Sequence, residues 1–176
     1  MEPFNRTIEQ LMLRFKPLMG TDYVKYRNHI YRVFLNCLLM DKQDENIEKY
    51  AVAAVFHDIG IWTDNTIDYL DPSIKQVEKY LDESCRGDWV EEISRMINWH
   101  HKVSRYEGDY SKTVETFRKA DWMDVSFGIM AFGVSRKKIR ESRINLQNEG
   151  FHFFLIKKIA LNFLQHPLNP LPMFKK

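Results

Sequence analysis

Two histidines and two aspartates could do chemistry together in this chain. His29 lies in YRNHIYR, His57 and Asp58 are adjacent in AAVFHDIG, and Asp121 lies in RKADWMD. Two imidazoles and two carboxylates make a mixed nitrogen and oxygen donor set. Such a set suits borderline or hard divalent ions (Mn, Fe, Co, Ni, Zn or Mg) better than soft Cu(I), and it leaves coordination positions for water and substrate. His57 and Asp58 are the most telling, because adjacent helical residues point about 100° apart and seldom need to be His-Asp in an apolar segment. A carboxylate entering that core would become neutral unless a cation or partner compensated it. The plain alternative is that Asp58 caps the loop after the helix. The dipeptide alone is weak evidence; the ordered series of His, His-Asp and Asp is specific.

A second cluster, His100 and His101 in INWHHK, lies on a segment that could face the same cavity. Either histidine is a candidate further ligand or an anion contact, with Lys102 adding positive charge; a solvent-exposed helix-end pair is the bland reading. Hydrolysis is one chemistry such a site could do. A bound ion would lower the pKa of a water, Asp58 would orient that water or take its proton, and a cation would neutralise an anionic group on the substrate. Asp58, His101 and Lys102 are therefore the candidate catalytic residues. Arg27, Arg118 and Lys119 flank ligand positions and are candidate substrate contacts, although most of the 26 basic residues must be solvated surface groups. Trp62 and Tyr69 could stack on a ring or simply fill the core. Asp124, one turn after Asp121, is either an acceptor that orients a ligand or a surface carboxylate. His152 among phenylalanines and His166 before Pro167 are read as structural.

The elements that must position these groups are helices. Apolar positions recur at three- and four-residue intervals, as at Ile8, Leu11, Met12 and Phe15, and the chain has only seven glycines. The pattern predicts an all-α bundle with helices over 22–40, 45–58, 73–84, 88–102, 112–132 with a bend near Gly128, 135–147 and 151–165. Gly60 is expected to end the second of these, and Pro72 to open the next in its first turn. The intervening IWTDNTIDYLDPS is the candidate substrate-facing loop. The proline-rich, apolar tail HPLNPLPMFKK cannot continue as helix and is expected to pack back on the bundle.

Length and composition set the frame. With 176 residues and 44% hydrophobic content, one domain over 1–176 is expected. A formal net charge of +2 gives no bulk attraction to a long nucleic acid. Two cysteines, Cys37 and Cys85, are in no CxxC pairing and read as buried thiols rather than a disulfide framework. With no leader pattern and no apolar run of roughly 18 residues, a cytoplasmic, non-membrane protein is expected.

His29, the pair His57-Asp58 followed by Ile59-Gly60, and Asp121 preceded by Ala120 resemble the signature of the HD metal-dependent phosphohydrolase superfamily, over roughly residues 25–125. The wider pattern of YRNH, FHDIGIW, WHHK and FRKAD is similar to a bacterial subgroup of HD-domain proteins. The resemblance implies a helical bundle of the HD/PDEase-like type in which His29, His57, Asp58 and Asp121 converge on one divalent ion. It also implies hydrolysis of a phosphate ester, such as a small phosphorylated metabolite or a nucleotide. In two-metal relatives, histidines placed like His100 and His101 bind a second ion. This chain departs from those relatives in having no histidine between residues 59 and 99, and from mononuclear nucleotidase relatives in carrying Ile61 where they have a glutamate. The competing readings are an HD-type di-iron oxygenase and a non-catalytic regulatory module that keeps its ion for stability.

Overall fold

The computed structural model describes residues 5–169 and 171–174. Those residues form helices and no strands: α1 (Arg6–Met19), α2 (Tyr23–Met40), α3 (Asp44–Phe56), α4 (Gly60–Thr63), α5 (Leu70–Glu83), α6 (Val90–Trp99), α7 (Ser111–Val125), α8 (Arg136–Ser142) and α9 (Phe151–Gln165), with 3-10 turns at Gly20–Asp22, Gly87–Trp89 and Pro172–Phe174. The expected all-α class is correct, and none of the helices is long and apolar enough to cross a membrane.

Helix α1 begins for a local reason. Asn5 caps α1 by accepting a hydrogen bond from the Ile8 amide (3.0 Å), and Ile8, Leu11, Met12, Phe15 and Met19 then form its buried stripe. The α3 helix is buried on every side from Tyr50 to Phe56, as an alanine- and valine-rich helix at the centre of a bundle must be. It packs between α1, α2, α5 and α6, while α2 lies along α7.

The boundaries depart from expectation where tertiary contacts intervene. The third helix stops at Phe56, and His57, Asp58 and Ile59 form a turn leading directly into α4. Gly60 therefore starts an element instead of ending one. A Cβ there would lie 2.5 Å from the Tyr69 carbonyl and 2.8 Å from Pro72 Cβ, so glycine is what lets the start of α5 approach this turn. Pro72 sits in the first turn of α5, as expected. Helix α7 ends at Val125 rather than running to 132, because Phe127 and Gly128 both adopt positive φ (55° and 79°). The tail does fold back: Met173 is buried in the core and Leu171 packs against it, while Pro170 and the last two residues lie outside the described residues. Cys37 is buried and free, but Cys85 is exposed, contrary to expectation.

Candidate metal centre

Two helices and the turn after a third bring the predicted ligands to one buried point. His29 comes from the middle of α2, His57 and Asp58 from the turn after α3, and Asp121 from α7, and all are at least 97% buried. The His29 and His57 Nε2 atoms are 3.0 Å apart. Asp58 Oδ2 lies 3.4 Å from His57 Nε2 and 3.8 Å from His29 Nε2, and Asp121 Oδ1 lies 3.9 and 3.6 Å from the same two atoms.

The partners on the far side of each ring decide what these atoms are. His57 Nδ1 donates to the Ala54 carbonyl (2.8 Å), and His29 Nδ1 donates to the Asp124 carboxylate (2.8 Å). A carbonyl or ionised carboxylate can only accept, so both rings carry their proton on Nδ1 and, when neutral, direct a lone pair from Nε2. Burial holds His57 down to about 3 against the pull of Asp58, which keeps that ring neutral. Two imidazole lone pairs and two carboxylates thus point at one small volume with no proton between the imidazoles. A divalent cation fits that donor set and removes its repulsion.

The carboxylates titrate differently. Burial pushes Asp121 up to about 6, the neighbouring Asp58 and Asp124 adding to it, while His100 and His29 act against the rise. For Asp58, burial is outweighed by His57 and His100, which hold its carboxyl far below the usual range. Asp124 is lowered likewise, its burial offset by His29 and Arg32.

Asp124 is the buried support expected of one of its two readings. It accepts from Arg32 Nε (2.8 Å) and Nη2 (3.0 Å), from His29, and from Arg143. The aromatic wall comprises Phe151, stacked on His29 at 4.2 Å, Phe117, edge-on to His57 at 5.6 Å, and Tyr26, whose hydroxyl donates to the Val55 carbonyl and accepts from the Asp58 amide.

The second histidine pair joins the same centre through Asp58. His100 Nδ1 donates to the Ile97 carbonyl (2.6 Å), and its Nε2 faces Asp58 Oδ1 at 3.5 Å. Neither of those facing atoms has a hydrogen-bond partner. The Tyr69 hydroxyl bonds His101 Nε2. Ligand atoms from His29, His57 and Asp58 form one compact trio, and those from Asp58, His100 and His101 form another, with Asp58 common to both.

The expected substrate cations are placed less centrally. Arg27 pairs with Glu9 at 2.7 Å and lies over the Tyr31 ring. Arg118 grips Glu115 through Nε and Nη2 and also donates to the Lys102 carbonyl; Lys119 shares the same glutamate at 3.6 Å. Lys102 Nζ lies 5.9 Å from the Trp99 ring centroid. Trp62 packs against Tyr26 and stacks on Phe154. His152 stacks on Phe127 at 4.1 Å, in keeping with a structural role. The segment expected as a loop over 61–73 is helical at both ends, in α4 and α5, and its irregular part supplies Tyr69 to the centre, with Ile67 and Tyr69 buried.

The family model described as HD domain matches residues 26–126, more than half of the chain. This chain belongs to the HD domain family. Comparisons with curated proteins and with solved structures gave no match. The matched HD domain holds all four predicted ligands, both vicinal histidines and Asp124. Two groups that complete the centre lie beyond it: Arg143, on Asp124, and Phe151, on His29. Arg32, Arg143 and Phe151 were not among the residues that the sequence pattern pointed to. Arg32 had a signal, being one turn beyond His29 on the same helix face; the other two are separated from their partners by long stretches of chain and had none.

Proposed function

We propose that this HD-domain chain is a metal-dependent phosphohydrolase acting on a small phosphorylated metabolite or nucleotide. One observation carries the reading: the paired Nε2 lone pairs of His29 and His57, 3.0 Å apart and flanked by Asp58 and Asp121, form an open donor set for a divalent ion. His29, His57, Asp58 and Asp121 would hold that ion, which when bound supplies an acidified water and polarises a phosphoryl oxygen. The chain's own residues supply the rest. Asp58 Oδ1, buried without a hydrogen-bond partner, is the proposed acceptor of a proton from the attacking water. His101, bonded to Tyr69 and kept neutral by its burial beside His100, is the proposed phosphate contact. Lys102, next in the chain, is the proposed phosphate cation. Arg118 and Lys119 share Glu115, and Arg27 is paired with Glu9, so their contribution to substrate is proposed as secondary. The packing of Trp62 between Tyr26 and Phe154 favours its filling the core over stacking on a substrate ring.

Asp58 belongs to both ligand trios, which favours a centre able to take a second ion on His100 and His101. That arrangement is what a di-iron oxygenase would need, and it keeps this second reading in view. A single domain over 1–176 is supported by Phe151 and Arg143, which reach the centre from outside the matched span.

The test is release of inorganic phosphate from a panel of nucleotides and sugar phosphates, with the purified chain loaded in turn with Mn, Fe, Co, Ni, Zn or Mg. Metal-dependent release that vanishes in Asp58→Ala supports the hydrolase. Oxygen uptake by the iron-loaded chain without phosphate release supports the oxygenase. A metal-stabilised chain inactive in both assays would make it a binding module.

A further inference from the structure

The last long helix, α9, has two apolar faces where one would suffice. Its inner face packs on the body: Phe151 is fully buried against His29, and Phe154, Leu155 and Ile159 pack against the core. At 3.6 residues per turn, Phe153, Ile156, Ala160 and Phe163 share a second face on the opposite side. All four are exposed, Phe153 at 72% and Ile156 at 63%, with Leu164 at 77% extending the stripe. A helix apolar on both sides is ordinarily buried on both. The four large side chains of the stripe, Phe153, Ile156, Phe163 and Leu164, are each more than half exposed, a contiguous apolar patch of the kind that marks an interaction surface.

We infer that this face is an interface between two copies of the chain, packed helix α9 against helix α9 about a two-fold axis. The spacing of the stripe identifies the occupant. Intervals of three, four and three residues are those of a coiled-coil seam, and they read the same in both directions. A two-fold axis across the helix at its midpoint therefore sets Phe153 opposite Phe163 of the partner subunit, and Ile156 opposite Ala160 of the partner subunit. Large meets small at the centre, where Ile156, Ala160 and Phe163 already line a shallow depression of about 460 Å³ that a partner's side chain can enter. No charged residue falls on the four seam positions, so pairing buries no unpaired charge. The same patch, flanked by Lys157 and Lys158, could otherwise meet an anionic lipid surface. The self-matching spacing favours the second copy, because a bilayer imposes no such register. This inference does not depend on the chemistry proposed for the metal centre.

The test is sedimentation equilibrium of the full chain from about 1 to 100 μM, beside Ile156→Glu. The side chain of Ile156 faces solvent in the single chain, so the variant is expected to keep its helix content, with Tm falling only by the stabilisation the dimer contributes. Dimer mass in the parent, with a dimer dissociation constant at least about 30-fold higher in Ile156→Glu, is the expected result. A parent that stays monomeric throughout, or a dimer that Ile156→Glu leaves intact, overturns the proposal. The register is tested in a Cys85→Ser background carrying Ile156→Cys and Ala160→Cys. Mild oxidation should cross-link the dimer through these positions; a dimer that fails to cross-link overturns the antiparallel seam. Flotation of a monomeric parent with vesicles of phosphatidylglycerol and phosphatidylcholine would assign the patch to a lipid surface instead.

Discussion

Asp124 accepts a hydrogen bond from His29 Nδ1 at 2.8 Å while two arginines, Arg32 and Arg143, hold the same carboxylate. The carboxylate fixes the tautomer of His29, and the arginines keep it ionised inside the core. Asp124→Asn removes the charge and presents an amide that can offer His29 Nδ1 a donor. The expected outcome is a loss of metal affinity of about 10- to 100-fold with all candidate ligands still present. Chelator competition on the parent and variant checks this. Unchanged affinity would mean that His29 does not bind through Nε2.

Gly60→Ala probes the turn that carries His57 and Asp58. The new methyl would meet the Tyr69 carbonyl at 2.5 Å and Pro72 Cβ at 2.8 Å, so the start of α5 must move. Overpacking of this kind costs about 1–3 kcal/mol, read as a lower Tm by thermal melting. Because Tyr69 moves with that segment, its bond to His101 should loosen as well, and any phosphatase activity should fall further than the fraction of folded protein does.

How much of this could be read from the residues differs by level. The helical class and the four candidate ligands that the fold gathers were legible, because heptad-like spacing and a His-Asp pair in an apolar segment are local signals. The ends of α3 and α7 were not. Gly60 looks like a helix stop until the close approach of Tyr69 and Pro72 gives it another reason to be glycine, and the turn after Val125 depends on Phe127 adopting positive φ, which its type does not advertise. Among the polar groups, Arg27 and Arg118 flank ligands in sequence yet are engaged by Glu9 and Glu115, partners set by packing. Phe151 reaches His29 across more than a hundred residues, and only the fold can show that.

The joint between α2 and α3 should make stability acid-sensitive. Asp41, almost fully buried, accepts from Asn46, Tyr50, Lys112 and the Gln43 amide; these bonds outweigh the effect of burial and bring it down to about 2. An unfolded aspartate titrates near about 3.9. The folded pKa is the lower, so this contribution is complete above about pH 5 and is lost as pH falls toward 2, up to about 2.5 kcal/mol in all. Urea midpoints measured between pH 6 and pH 2.5 should fall less steeply in Asp41→Asn than in the parent. Equal slopes would remove Asp41 from the account.

Metal stoichiometry should separate the two trios. Asp58 is common to both, whereas His100 belongs to one. The His29 and His57 side also has Asp121 within 4 Å of both imidazoles and the support of Asp124, so it should hold its ion more tightly. Mass-spectrometric metal analysis after titration with Mn or Zn is expected to find one tightly held ion per chain and a second, weaker one. Asp58→Ala should lose both. His100→Ala should lose only the weaker, since none of the groups that fix the His29 and His57 tautomers is touched. If His100→Ala instead empties the chain of metal, the primary ion sits between Asp58 and the vicinal histidines, and His29 and His57 act as its support rather than its ligands.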